Sequence, residues 1–198
     1  MAAYLLSFLL IAMIAHISIG NFQEKAQQDF FEKGIQAAHH MGEKISSPLL
    51  EKDILTLNVA VGEMEKKNNP VFTAILDHDG KIIAHSDPDV IGNSYIFPEN
   101  ATNLKVSDDI SIDRLTHKGK PVISFTKEIL FAGVKIGKIL FGFDAGQLDA
   151  PMERYDKIRG AMWIISILGF ITAVFLTDRY LKNKRAKELE AFKKADTV

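Results

Sequence analysis

The sequence of 198 residues predicts an α+β fold: an antiparallel five-stranded sheet with a long N-terminal helix, flanked by two transmembrane helices. Two apolar runs without a charged side chain, at residues 4–20 and 161–177, bracket the chain. Apolar residues recur every three or four positions from residue 21 to about 45, which is typical of a helix. After residue 70, short runs of strand-forming residues are separated by turn residues, which is typical of an antiparallel sheet.

The two apolar runs define the organisation of the chain. Each is 17 residues long, close to the lower limit for crossing a bilayer core, which takes roughly 20 residues. We expect a transmembrane helix over residues 1–20, a globular domain over 21–158, a second transmembrane helix over 160–177 and a short tail over 178–198. A cleavable signal peptide is the alternative for residues 1–20, although that run lacks a positively charged start.

The distribution of charge indicates the orientation. Residues 178–198 carry seven Lys or Arg against four acidic residues, whereas residues 21–160 carry 17 basic and 21 acidic residues. Because basic flanks stay on the cytoplasmic side of a membrane, we expect the tail inside and the domain outside. The sequence thus predicts a two-pass protein of the bacterial inner membrane, embedded in the lipid bilayer, with a periplasmic domain and a cytoplasmic tail.

Composition argues against several classes of function. The chain has no cysteine, which excludes disulfides and thiolate metal sites. Its formal net charge of −1 argues against nucleic acid as a partner. No phosphate-binding loop, catalytic triad or zinc-ligand spacing occurs, and Asp77 and Asp79 belong to an Asp-x-Asp-Gly sequence that is ordinary turn chemistry. We therefore expect no enzyme activity, no metal and no cofactor.

The central segment can be divided into elements from its pattern. Ser47 and Pro48 are expected to end the long helix and to start a second helix that runs to about Lys67. Apolar residues change phase within the last predicted strand, so a β-bulge is expected near Gly137. Residues 87–109 are expected to form a loop with one helical turn. Five strands are expected, at residues 71–76, 81–85, 111–116, 122–131 and 134–143.

Three stretches, together with the Leu-rich second helix that contains Asp53, resemble the single Cache domain family, the extracytoplasmic relatives of PAS domains. The three stretches are residues 71–88 (VFTAILDHDGKIIAHSDP), residues 92–95 (GNSY) and residues 137–144 (GKILFGFD). The resemblance covers about residues 20–178. It implies a PAS-like antiparallel sheet with helices on one side and a small-molecule pocket on the other, as in bacterial chemoreceptors and sensor histidine kinases. Only about 20 residues follow the second apolar run, so we expect neither a HAMP module nor an output domain.

Six residues are candidates for ligand contacts. His85 ends the second predicted strand, where its imidazole either points into the pocket or forms hydrogen bonds with backbone groups at the strand end. Tyr95 and Phe97 lie in the loop that covers the pocket in Cache domains, although ordinary core filling would also explain them. Arg114 lies mid-strand, where a guanidinium could hold a carboxylate bidentately. Two residues of the next strand complete the set, Phe125 and Lys127, of which the lysine faces either the ligand or an exposed edge.

Two functions are consistent with these features. The first is a membrane-anchored sensor that binds a small molecule, such as a carboxylate, and relays a conformational signal to a membrane protein partner or within a homodimer. The second is a non-catalytic accessory subunit of a larger inner-membrane complex, which uses the Cache fold for docking.

Overall fold

The computed structural model describes the backbone of residues 2–107 and 109–195, and the side chains of residues 24–106 and 109–187. The chain divides into two compact units. One unit comprises residues 26–151 and contains the sheet, and the other comprises the segments 1–25 and 152–198.

The N-terminal helix is longer than its sequence pattern predicts. Helix α1 spans Ala2–Glu51 and includes Pro48 near its end, so the predicted break at Ser47–Pro48 is wrong. Because Leu49 is buried after the proline, the apolar face of the helix continues and compensates for the hydrogen bond that proline cannot donate. Lys52 then adopts a left-handed conformation, with φ of 58°, and turns the chain.

Helix α2 spans Ile54–Asn68 and begins at a capping residue that the sequence reading overlooked. Asp53 accepts hydrogen bonds from the Thr56 backbone N–H at 3.1 Å and from the Thr56 hydroxyl at 2.6 Å. These bonds satisfy an amide that has no partner within the first turn of a helix. An aspartate that follows the proline by five residues is therefore what separates the two helices.

The sheet has six strands rather than five, and all neighbouring strands are antiparallel. The additional strand, Thr102–Ser107, lies in the segment expected to be a loop. Its residues 102–106 are all exposed, so it forms an edge strand without the apolar alternation by which strands are recognised. The strands are β1 (Phe72–Asp77), β2 (Ile82–His85), β3 (Thr102–Ser107), β4 (Ile110–His117), β5 (Lys120–Phe131) and β6 (Val134–Asp144), in the order β2-β1-β6-β5-β4-β3.

The β-bulge predicted near Gly137 is confirmed. Ile129 pairs with Gly137 while Leu130 pairs with Lys135, so Ile136 is the additional residue in β6. Since side chains alternate between the two faces of a strand, this insertion changes which residues face the helices.

The two faces of the sheet have different coverings. Helix α1 crosses the first face, where a Cβ added to Gly34 would lie 2.2 Å from the ring of Phe125. Phe125 stacks on Phe141 with ring centroids 5.4 Å apart. On the second face the loop between β2 and β3 covers a separate apolar cluster, with Val90 and Tyr95 packed against it. That cluster comprises Phe72, Ala74, Leu76, Ile82, Leu115, Val122 and Leu140.

Helix α3 spans Gly146–Ala195 and includes the second predicted transmembrane segment. Its portion Gly146–Lys187 is long and apolar enough to cross a membrane by length and composition, and none of its most apolar window is buried within the protein. The first predicted transmembrane segment, residues 1–20, is helical along its backbone from Ala2, but its side chains lie outside the described residues.

Candidate ligand-binding site

A cavity of about 350 Å³ opens on the second face of the sheet, beside the loop between β2 and β3. Two backbone hydrogen bonds hold this loop near the start of β2: Tyr95 N–H donates to Gly80 C=O at 2.9 Å, and Ile82 N–H donates to Asn93 C=O at 2.9 Å. The loop therefore carries its aromatic residues to the cavity. The lining residues are Leu76, Gly80, Tyr95, Phe97, Ser111, Asp113, Thr126, Lys138 and Leu140.

Asp113 is the buried charged group of this cavity, and only 6% of the residue is exposed. One carboxylate oxygen accepts from the Asn103 side-chain amide at 2.8 Å, and the other accepts from the Ser111 hydroxyl at 2.8 Å. Both donors are neutral, and Asp113 has no ion-pair partner among the described residues. A buried carboxylate that forms no ion pair leaves negative charge that a positively charged ligand would neutralise.

Tyr95 lies close enough to Asp113 to respond to its charge. Burial raises the pKa of the Tyr95 hydroxyl above its usual value, and the negative charge of Asp113 raises it further. Tyr95 is half-buried, whereas Phe97 is 45% exposed. The structure therefore brings both predicted loop aromatics to the cavity, with Tyr95 inside and Phe97 more exposed.

Thr126 and Lys138 supply further polar groups. The Thr126 hydroxyl is buried and has no hydrogen-bond partner among the described residues, so its hydrogen-bonding capacity is unused within the described part of the chain. The Lys138 ammonium lies 3.6 Å from a carboxylate oxygen of Glu128. Because that oxygen also accepts from Lys135 at 2.8 Å, two cations share it.

His85 lies in a different cavity, of about 210 Å³, that it shares with Phe72, His117 and Lys118. Its Nδ1 accepts the Asp87 backbone N–H at 2.7 Å, and burial lowers the pKa of its imidazole. Its ring is parallel to that of Phe72 with centroids 6.4 Å apart. His85 thus satisfies a backbone group, and the structure does not place it with Tyr95 and Phe97.

Arg114 lies on the opposite face of the sheet from the Asp113 cavity. It pairs with Ile123 across β4 and β5, and its guanidinium donates to the carboxylate of Asp149 in α3. Arg114 therefore does not line the cavity that Asp113 lines, because neighbouring residues in a strand point to opposite faces.

Phe125 and Lys127 also lie on the helix-covered face, and neither lines the cavity beside Tyr95 and Phe97. Phe125 is fully buried beneath α1. The side chain of Lys127 is 11% exposed and forms an ion pair with Asp109. Both residues lie on the same face of β5 as Ile123. The apolar alternation along the strand predicts that this face is buried, but it does not indicate whether the helices or the loop between β2 and β3 cover it. Whether any of the six candidates contacts a ligand stays a prediction.

The sequence reading missed Ser111, Asp113 and Thr126. A usable signal was present, since Ser111 and Asp113 alternate with the buried Ile110 and Ile112 along β4. Polar residues that recur with period two between apolar ones indicate a face that meets something other than the core.

The β1–β2 turn carries a cluster of potential metal ligands, Asp77, His78 and Asp79, whose ligand atoms lie within 4.8 Å of one another. Asp77 accepts the backbone N–H groups of Asp79 at 3.0 Å and Lys81 at 2.9 Å. These bonds are those of an ordinary Asx-turn, as the sequence predicts.

No model of a known protein family matches the chain, and no curated protein matches it in sequence. Solved structures match it in fold. The sensory domain of the Campylobacter jejuni chemoreceptor Tlp3 with isoleucine bound has a TM-score of 0.61 and 15% identity, covering 74% of this chain and 65% of that one. The sensor domain of the V. cholerae histidine kinase DctB has a TM-score of 0.54 and 14% identity, covering 73% and 60%. The ligand-binding domain of the Pseudomonas fluorescens chemoreceptor CtaA in complex with L-valine has a TM-score of 0.51 and 11% identity, covering 70% and 64%.

The chain thus spans between 60% and 65% of the length of these three domains. Identities of 11% to 15% show a shared fold and no more. The chain has the α+β fold of Cache-type sensor domains, as the resemblance in its sequence predicts.

Proposed function

We propose that this protein is a membrane-anchored, extracytoplasmic sensor that binds a small molecule carrying an ammonium group and relays its binding to a separate membrane partner. The fold it shares with receptor sensor domains supports sensing. Helix α3 supports membrane anchoring, since its exposed apolar side chains suit a lipid environment better than water. The basic tail supports an orientation with the domain in the periplasm.

Asp113 carries the proposal about the ligand. A carboxylate that is 6% exposed and bonded only to neutral donors within the described residues is complementary to a cation. An ammonium group beside it would form a charge-assisted hydrogen bond, which contributes roughly 1.5–3 kcal/mol. Leu76 and Leu140 line the same cavity and suit an aliphatic remainder.

The predicted carboxylate ligand loses its principal contact, since Arg114 is engaged with Asp149 on the other face. Lys138 is the cation that lines the cavity, so a carboxylate fits as the second group of an amino acid. The Tlp3 and CtaA domains with isoleucine and L-valine bound hold molecules of this kind. We therefore propose primary amines, including aliphatic amino acids, as the ligand class.

A thermal-unfolding screen of the full chain in detergent tests this proposal. The panel comprises primary amines, aliphatic amino acids and monocarboxylates of matched carbon skeleton. A ligand that binds only the folded state raises the unfolding midpoint in a concentration-dependent way. We expect the amines and amino acids to raise it and the monocarboxylates to leave it unchanged. A response confined to the monocarboxylates would contradict the proposed ligand class.

A role as an accessory subunit is the second candidate, and two groups of exposed apolar side chains favour it. Leu50, Ile54 and Leu55 lie at the turn between α1 and α2 and are 44% to 76% exposed. Phe131 and Val134 flank the β5–β6 turn and are 48% and 65% exposed. Exposed apolar groups of this kind mark protein contacts. Purification in a mild detergent that yields a stoichiometric complex, with no response to the ligand panel, would favour this function.

A further inference from the structure

Two consecutive residues of β4 connect the ligand cavity with the helix that leaves the domain. Asp113 lines the cavity, and Arg114 donates to Asp149 in the first turn of α3. Their side chains point to opposite faces because alternate positions of a strand do so. A rotation of β4 that moves Asp113 towards a ligand therefore moves the base of Arg114 in the opposite direction.

The start of α3 is attached to two adjacent strands. Its ion pair with Arg114 holds it to β4, while the backbone N–H of Ala145, the residue before the helix, donates to Pro121 C=O in β5 at 3.1 Å. Ala145 and Leu148 are buried and fix this end of the helix. A local twist of β4 at Asp113 would therefore displace the attachment of α3 to Arg114 while its attachment to β5 stays in place.

The sheet is irregular where this movement would begin. Asn103 pairs with Asp113, but Lys105 pairs with Ile112, so Leu104 is an additional residue in β3. The bulge lies directly opposite Asp113, in an edge strand of six residues. Bulges re-aim side chains beside binding sites and interrupt the ladder locally, so at this point β4 is held less tightly by β3 than by β5, with which it pairs without a register shift.

The exposure of the ion pair argues against a large contribution to stability. The side chains of Arg114 and Asp149 are 41% and 36% exposed, and ion pairs with this exposure add little to stability. They do fix geometry, because the planar guanidinium binds a carboxylate in a defined orientation.

From these contacts we infer that Arg114 is a positioning residue that transmits the state of the Asp113 cavity to the first turn of α3 through Asp149. This inference rests on the proposed sensing function. An ammonium ligand neutralises Asp113, and the isosteric substitution Asp113→Asn neutralises it without a ligand, so the coupling can be tested before any ligand is identified.

Hydrogen exchange of the full chain in detergent tests the inference. We expect Asp113→Asn to change the exchange rate of backbone amides at residues 146–152 by threefold or more. In the Arg114→Ala background, we expect the same substitution to change that rate by less than twofold. Lys127→Ala is the matched control, since Lys127 is an ion-paired cation on the same face but binds Asp109. The response should persist in the Lys127→Ala background. An equal response with and without Arg114, or no response in either background, would overturn the inference.

Exchanging the charges gives an independent test. The double variant Arg114→Asp with Asp149→Arg restores an ion pair of reversed polarity, and we expect it to recover the response that Arg114→Ala removes. If Asp113→Asn does not fold, Ser111→Ala serves in its place, because it removes one of the two hydrogen bonds to Asp113. Failure of the exchanged pair to recover any response would count against a positioning role.

The ligand panel distinguishes this inference from the proposed function. Arg114→Ala should change the midpoint shift caused by amines by less than twofold, since Arg114 does not line the cavity. Amine binding with an exchange response that does not depend on Arg114 would overturn the coupling alone. An exchange response that depends on Arg114, without amine binding, would support the coupling and contradict the proposed ligand.

Discussion

His85 shows how a titratable residue of this domain is used structurally. Its Nδ1 accepts the Asp87 backbone N–H at 2.7 Å, which requires the neutral imidazole to present that nitrogen unprotonated. Burial also disfavours the charged form and lowers the pKa of His85 below its usual value of about 6.5. The folded protein therefore holds His85 neutral at pH values where the unfolded chain begins to protonate it.

The free energy of unfolding should consequently depend on pH through His85. Below about pH 6.5 the unfolded chain binds more protons at His85 than the folded protein does. The contribution of His85 to the free energy of unfolding is therefore fully present above that pH and is lost as the pH falls through the lower pKa of the folded state. We expect His85→Asn, whose side-chain oxygen can still accept the Asp87 N–H, to flatten the decrease in unfolding midpoint between about pH 7 and 5. The same substitution at the exposed His78 is the control, and an unaltered profile for His85→Asn would refute the assignment.

At the residue scale, the sequence predicted two loop aromatics, Tyr95 and Phe97, that line the cavity, and it did not single out Asp113, which lines the same cavity. Tyr95 and Phe97 follow a loop sequence that the family resemblance located. Arg114 was predicted to hold a carboxylate because its guanidinium lies mid-strand, yet its neighbour Asp113 lines the cavity. Arg114 and Asp113 are adjacent in the strand, so their side chains point to opposite faces of the sheet. Which face the helices cover is a property of tertiary packing, so the sequence alone does not indicate which of the two faces the cavity.

Among the elements, the contact between α1 and the sheet depends on small residues in the helix. Gly34 lies against the buried Phe125 ring, with 2.2 Å between that ring and a Cβ added to the glycine. Gly42 lies similarly against the stem of Lys127 at 2.9 Å. These glycines allow the helix backbone to approach β5 closely, although glycine costs helix stability.

Two alanine substitutions separate the effects of packing and helix propensity. Gly34→Ala should destabilise the domain by about 1–3 kcal/mol, because a buried aromatic ring must move to accommodate the methyl group. Gly62→Ala in α2 is the matched control. A Cβ there meets nothing within 4 Å, so it should stabilise the domain by about 0.5–1 kcal/mol through helix propensity. Unfolding midpoints of both variants measure this, and a neutral or stabilising Gly34→Ala would contradict the described packing.

Some elements of the fold could be predicted from the sequence, and others could not. The bulge at Ile136 was predictable because the apolar phase of β6 changes beside Gly137. Strand β3 was not, since an edge strand with both faces exposed has no apolar alternation. The end of α1 was misplaced because a proline normally marks a helix boundary, whereas burial of Leu49 carries this helix one turn further.

At the scale of the whole molecule, we propose that α3 crosses a membrane with the tail in the cytoplasm. Its window of 18 residues has a mean hydropathy of 2.1, and the following tail, residues 178–198, carries seven basic against four acidic residues. This orientation would place the sheet domain and its cavity in the periplasm, where a small amine could reach it from outside the cell.

Cysteine labelling tests the orientation directly, because the chain contains no cysteine and has no background reaction. Asp79→Cys, at an exposed turn of the domain, should react with a membrane-impermeant maleimide in intact cells. Lys187→Cys, beyond the apolar segment, should react only after lysis. Labelling of Lys187→Cys in intact cells would contradict the predicted topology.

The central claim is that Asp113 binds the ammonium group of a ligand, and one comparison tests it most directly. The unfolding midpoints of the wild-type chain and of Asp113→Asn are measured against increasing n-butylamine, L-valine and butyrate. The account predicts that the amine and the amino acid raise the wild-type midpoint and that Asp113→Asn weakens their binding at least tenfold, equivalent to about 1.4 kcal/mol. Midpoint shifts of equal size in the two proteins, or a wild-type response to butyrate alone, would contradict it.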